Sequence, residues 1–131
     1  MEITVRSIDR IQSKTILGFT CSYGEGHAIS SSNACDDLIG TTVSCELDIN
    51  TKITVGKNAE YISNSVGRIT RINNGLELIF KIESQDEDGM TFCRVSDDCL
   101  LMIESDNNKP LKVGDFLHLT VNLEDVGITI N

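Results

Sequence analysis

The feature that most restricts the fold of this chain is a period of two in its apolar residues. Val43, Cys45, Leu47 and Ile49 alternate with Ser44, Glu46, Asp48 and Asn50, and Ile53 and Val55 keep the same parity. Met1, Ile3 and Val5 alternate with Glu2, Thr4 and Arg6, and Leu117, Leu119, Val121 and Leu123 with His118, Thr120 and Asn122. Leu76, Leu78, Phe80 and Ile82 repeat the pattern, broken on the polar face by Ile79. Successive side chains of a strand point to opposite faces, so these runs read as strands buried on one side. Less regular strands are expected over 15–21, 66–72, 90–95, 99–103 and 126–130. Turn residues separate the runs: Asn73-Asn74-Gly75, Asp88-Gly89, Asn107 to Pro110, and Asp125 to Gly127. The expectation is one all-β domain spanning residues 1–131, an antiparallel β-sandwich or partly open β-barrel of about eight strands. A chain of 131 residues buries enough surface to fold without a disulfide or metal.

One stretch departs from the alternation. Residues 22–42 are polar and carry Gly24, Gly26, His27 and three consecutive serines. They read as a long loop holding one short helix near residues 33–39, with Asn33 as cap, Asp36 in the first turn and Gly40 at its end. The five cysteines (Cys21, Cys35, Cys45, Cys93, Cys99) are odd in number and form no C-x-x-C pair. They are expected to be reduced thiols serving as small core residues. No secretory signal opens the chain and no apolar run is long enough for a membrane span, so a soluble cytoplasmic protein is expected.

Charge is segregated along the chain. The first 82 residues carry nine acids and eight bases, the last 49 eleven acids and three bases. Eight of the acids (Glu83, Asp86, Glu87, Asp88, Asp97, Asp98, Glu104, Asp106) fall between positions 83 and 106, where Arg94 is the single base. If residues 76–123 form a meander, the turns at 84–89 and 105–110 share one end of the sheet. Glu83, Asp86, Glu87, Asp88, Glu104 and Asp106 are then expected at that end beside Asn107 and Asn108, with Asp97 and Asp98 at the other.

The residues do not carry a recognisable catalytic or metal motif. Ser84-Gln-Asp86-Glu-Asp88-Gly89 has the look of part of a calcium loop, but with Gly89 at the sixth position the twelfth is Val95 instead of a bidentate glutamate. His27 and Cys35 lie close enough in sequence for a Cys–His pair, yet no glycine-flanked nucleophile surrounds Cys35. His118 falls on the polar face of its strand. Glycosidase chemistry needs an aromatic cleft, and the chain has no tryptophan, two tyrosines and four phenylalanines. Arg6-Ser-Ile-Asp-Arg10 resembles the R-x-x-x-R arm of PilZ domains, small barrels that bind cyclic dinucleotides. Their companion D/N-x-S-x-x-G motif is absent, the nearest stretch being Ile62-Ser-Asn64-Ser65-Val-Gly67. A pI near 4.5 and 5% aromatic residues oppose direct nucleic-acid binding.

What remains is an acidic surface. A surface of that kind suits a basic protein partner, and opposed charge accelerates association. In type the chain looks like a bacterial immunity protein, which masks the phosphate-holding site of a nuclease toxin. The expectation is therefore a non-enzymatic toxin inhibitor that needs no metal or cofactor and contacts neither nucleic acid nor membrane. Its proposed contacts are the eight acids above. The alternative is a small OB-like or PilZ-like barrel binding a ligand or nucleotide.

Overall fold

The computed structural model describes residues 1–106 and 110–131, which form eleven strands. Strands β1 (Glu2–Ile11), β2 (Lys14–Cys21) and β3 (Gly24–Ser30) make an antiparallel meander. The β1–β2 turn places Gln12 at φ 57°, the left-handed backbone that tight hairpins demand. Strand β4 (Thr42–Ile49) pairs with the start of β1 and, further along, with β11 (Val126–Ile130). Strand β11 also lies parallel to β3 through Gly127 and Ile128. The order β1-β2-β3-β11-β4-β1 closes a five-stranded barrel, which removes the exposed edges that a sandwich would keep.

The other six strands are inserted between β4 and β11. They are β5 (Ala59–Ile62), β6 (Arg68–Ile72), β7 (Gly75–Gln85), β8 (Met90–Ser96), β9 (Cys99–Glu104) and β10 (Phe116–Asn122). Eleven residues long, β7 organises this part. One of its edges pairs with β6 and then, from Lys81 on, with β8; the other pairs with β10. Strand β5 lies on β10, and β9 lies on β8. Isolated bridges at Ile53–Ser105 and Val55–Ala59 lead from β9 back to β5.

The barrel and the inserted strands join where Gly24 pairs with Ile69. Gly24 has φ +145°, and a Cβ there would run into the Ile69 carbonyl, so only glycine permits the junction. Beside it the Tyr23 hydroxyl is buried next to the Cys99 thiol, with no nitrogen or oxygen partner among the described residues.

The buried positions follow the alternation in the sequence: Cys45, Leu47 and Ile49 on β4, Leu76, Leu78, Phe80 and Ile82 on β7, and Leu117, Leu119 and Val121 on β10. Several expectations are corrected. There are eleven strands instead of about eight, one barrel is closed instead of partly open, and β3 pairs parallel with β6 and β11 instead of antiparallel. The supposed loop of 22–42 contains β3, whose Gly26 is needed because a Cβ would press on Phe19 and Leu76. The short helix is a single 3₁₀ turn at Asp36–Leu38, capped by the backbone of Cys35 and without a side-chain cap from Asn33. Ile53 and Val55 do not extend β4 but form the isolated bridges. The turn expected from Asn107 to Pro110, and Asn107 and Asn108 beside the acidic rim, fall largely outside the described residues.

Candidate docking surface

The end of the β7–β8 hairpin is built around Asp86. Its Oδ1 accepts hydrogen bonds from the amides of Asp88 and Met90, each at 2.9 Å, and Gly89 completes the turn at φ +86°. Two amides on one carboxylate oxygen fix the turn and leave Glu87 and Asp88 projecting into solvent. Ser105 then ties the end of β9 to this turn, its amide 2.9 Å and its hydroxyl 3.1 Å from the Gly89 carbonyl oxygen. Gln85 reinforces the junction: its Nε2 donates to the hydroxyls of Ser105 and Thr91, and its Oε1 accepts from the Leu111 amide. The residues that follow β9, Ser105 and Asp106, therefore lie at the end of the sheet that holds the β7–β8 turn. Asp86, Glu87, Asp88, Glu104 and Asp106 are gathered there, with Lys52 Nζ 3.9 Å from Glu104.

Glu83 is not part of that gathering. A bulge between Ile82 and Ser84 turns it toward Arg94, whose Nε lies 2.7 Å from one of its carboxylate oxygens. The Arg94 hydrogen bond holds the Glu83 carboxyl below its ordinary pKa, and the arginine in turn is pushed up. Arg94 also donates to the carbonyls of Ser96 and Asp97.

Asp97 and Asp98 lie at the opposite end, in the β8–β9 turn. Burial alone would raise the Asp98 carboxyl. The Ser96 hydroxyl, the Glu2 amide and the N-terminal ammonium outweigh it and hold the group below its ordinary value. Two further acids, Glu46 and Asp48 on β4, border β9 from the other side and line the depressions beside it. Their polar parity on β4 was visible in the sequence; their nearness to β9 was not, because it depends on a contact more than fifty residues long.

The catalytic candidates separate. His27 is buried and its Nε2 donates to the Gly75 carbonyl at 2.8 Å, joining β3 to the β6–β7 turn. Cys35 is exposed at the 3₁₀ turn, beside which Arg10 binds Asp36 at 3.0 Å and the Ala34 carbonyl at 2.6 Å. Arg6 is engaged with the Thr20 hydroxyl, so the two arginines of the R-x-x-x-R arm serve neighbouring strands and the loop before β4. His118 Nε2 lies 3.4 Å from a Glu77 carboxylate oxygen on the adjacent strand. Cys45, Cys93 and Cys99 are buried as expected, Cys21 is half-buried, and Cys35 departs from the expectation. Burial pushes the Cys45 thiol up to about 11, far from a reactive thiolate. Among the described residues no group of three or more metal-binding side chains converges, and no helix is long and apolar enough to cross a membrane.

Comparison with protein-family models, curated proteins and solved structures finds no match to this chain.

Proposed function

We propose that the chain is a non-enzymatic acidic protein that binds and masks a basic protein partner in the cytoplasm, in the manner of an immunity protein against a nuclease toxin. The observation that carries this reading is the acidic end built by the Asp86 turn and the Ser105–Gly89 link, where Glu87, Asp88, Glu104 and Asp106 project together. A positive, phosphate-holding surface is the natural counterpart of such an end. Asp97 and Asp98 supply a second patch, whereas Glu83 is already engaged by Arg94 and contributes less field.

The test is capture of partners from the source cell's lysate on the tagged protein, at about 50 mM and about 500 mM salt, where the screening length falls severalfold. One basic protein retained at low salt and released at high salt is the expected outcome. Glu87→Lys with Asp88→Lys should abolish its capture; Asp86 is left intact because it holds the turn. Capture indifferent to both salt and reversal would overturn the reading.

A second reading, a ligand-binding barrel of OB-like type, is favoured by the closed five-stranded ring alone. Tyr61 on β5 is the large aromatic counted among the exposed apolar residues, which is little for base stacking.

A further inference from the structure

Three sulfur-bearing side chains from distant parts of the chain gather where β1, β4 and β9 come together. Met1 and Cys45 are mutual backbone partners, the Cys45 amide donating to the Met1 carbonyl at 2.9 Å and the Met1 nitrogen to the Cys45 carbonyl at 3.1 Å. A pair of that kind sets its two side chains on one face, about 5 Å apart at Cβ. The Cys99 thiol, at the start of β9, lies 3.9 Å from the Met1 sulfur. Cys45 and Cys99 are buried, while the Cys21 thiol turns to the Gly24 carbonyl instead. Beside Cys99 stands the Tyr23 hydroxyl, buried with no nitrogen or oxygen partner among the described residues.

The same three residues line a depression of about 250 Å³ together with Glu46, Asp48 and Asp98, whose exposed carboxylates draw cations to it. The donor atoms narrow the choice of cation. Thiolate and thioether sulfurs are soft ligands that favour copper(I). Calcium and magnesium take oxygens, and structural zinc takes four ligands drawn from thiolates, imidazoles and carboxylates. No three imidazole, thiol or carboxylate groups converge among the described residues, so the third donor here is a thioether. Two sulfurs bound to one three-coordinate ion at ~2.3 Å each stand about 4 Å apart. The Cys99–Met1 spacing of 3.9 Å matches that bite.

We infer that Met1, Cys45 and Cys99 form a binding site for one copper(I) ion. On binding, the two thiols give up their protons to solvent, the metal gains two thiolate bonds and one thioether bond, and no electron is transferred. Tyr23 then acquires a role. Its hydroxyl donates to the metal-bound Cys99 sulfur, a positioning contact of the kind that orients a ligand and tunes its metal. Such a contact accounts for a buried hydroxyl that has neither oxygen nor nitrogen to bond. The site goes beyond the masking reading and does not depend on it, since neither Glu87 nor Asp88 lines the depression.

The test is anaerobic titration of the full chain with copper(I) against a chromophoric copper(I) chelator, with Cys35→Ser removing the exposed thiol. One ion per chain should be withdrawn from the chelator. Cys45→Ala and Cys99→Ala should each lower the affinity more than about a hundredfold, and Tyr23→Phe about tenfold. Cys93→Ala, which removes a buried thiol elsewhere, should leave it unchanged. Tyr23→Phe is the variant least able to act through unfolding, because it deletes only the oxygen. X-ray absorption at the copper edge should show three sulfur neighbours. One of them should become selenium in selenomethionine-labelled protein carrying Met90→Leu and Met102→Leu, where Met1 is the remaining methionine. The site is overturned by failure to hold the ion against the chelator, by affinities that Cys45→Ala and Cys99→Ala leave unmoved, or by nitrogen or oxygen neighbours in place of sulfur and selenium.

Discussion

Glu83 and Arg94 meet across the β7–β8 pair as a two-point fork, with Nε 2.7 Å from one carboxylate oxygen and Nη2 3.3 Å from the other. The fork withdraws one acid from the cluster that the sequence places together and anchors the arginine whose remaining donors hold the β8–β9 turn. The acidic field is therefore divided between two ends of the sheet, with a neutralised pair between them.

The fork sets a pH signature. Because the folded-state pKa of Glu83 is depressed by Arg94, its contribution to stability is present above the unfolded carboxylate range and is lost as pH falls through the folded value. Carbon-detected NMR titration should find the Glu83 carboxyl titrating below the ordinary glutamate value. Arg94→Gln should return it toward that value. An unchanged midpoint in the variant would show that the fork does not persist in solution.

Asp86 carries the hairpin turn through one oxygen. Asp86→Ala removes the acceptor of two amides and should cost about 1 kcal/mol in urea unfolding, while Asp86→Asn, which keeps Oδ1, should cost about half that or less. Equal losses in both variants would mean that charge, not the acceptor, holds the turn.

Tyr23 points to a stabilising change. Burial drives its hydroxyl pKa strongly upward, with a further push from the Cys99 thiol beside it, and the oxygen has no nitrogen or oxygen partner among the described residues. Tyr23→Phe should raise the unfolding free energy by about 1 kcal/mol, because a buried hydroxyl with only a weak sulfur neighbour carries most of a desolvation penalty of about 1–3 kcal/mol. A loss of similar size would reveal a partner, such as the Cys99 thiol, that matters energetically.

Much of this was legible in the residues, and the failures have causes. The alternations on β4, β7 and β10 read correctly because each strand buries one face and its register is fixed by that face. β3 was hidden because Gly24, Gly26 and His27 look like loop residues. Two of them are required by close approaches to Ile69, Phe19 and Leu76, and the third by its bond to Gly75, none of which is local in sequence. Hairpin geometry brings Glu104 and Asp106, at the end of β9, to the β7–β8 turn that carries Asp86, Glu87 and Asp88. Glu83 left the group because the bulge at Ile82–Ser84 shifts the register by one residue, and a shift of one redirects a side chain.

The late position of β11 has a kinetic consequence. Three strands and β4 of the barrel are complete by Ile49, yet the ring waits for Val126–Ile130, with the whole six-strand insertion made in between. During synthesis the β3 and β4 edges that β11 will join stand open while some seventy-five residues are added. Closure then requires a loop of that length to bring its ends together, a high-contact-order step that slows folding. The exposed interval is also when a second nascent copy could supply the missing strand, so domain-swapped dimers are the misassembly this connectivity invites.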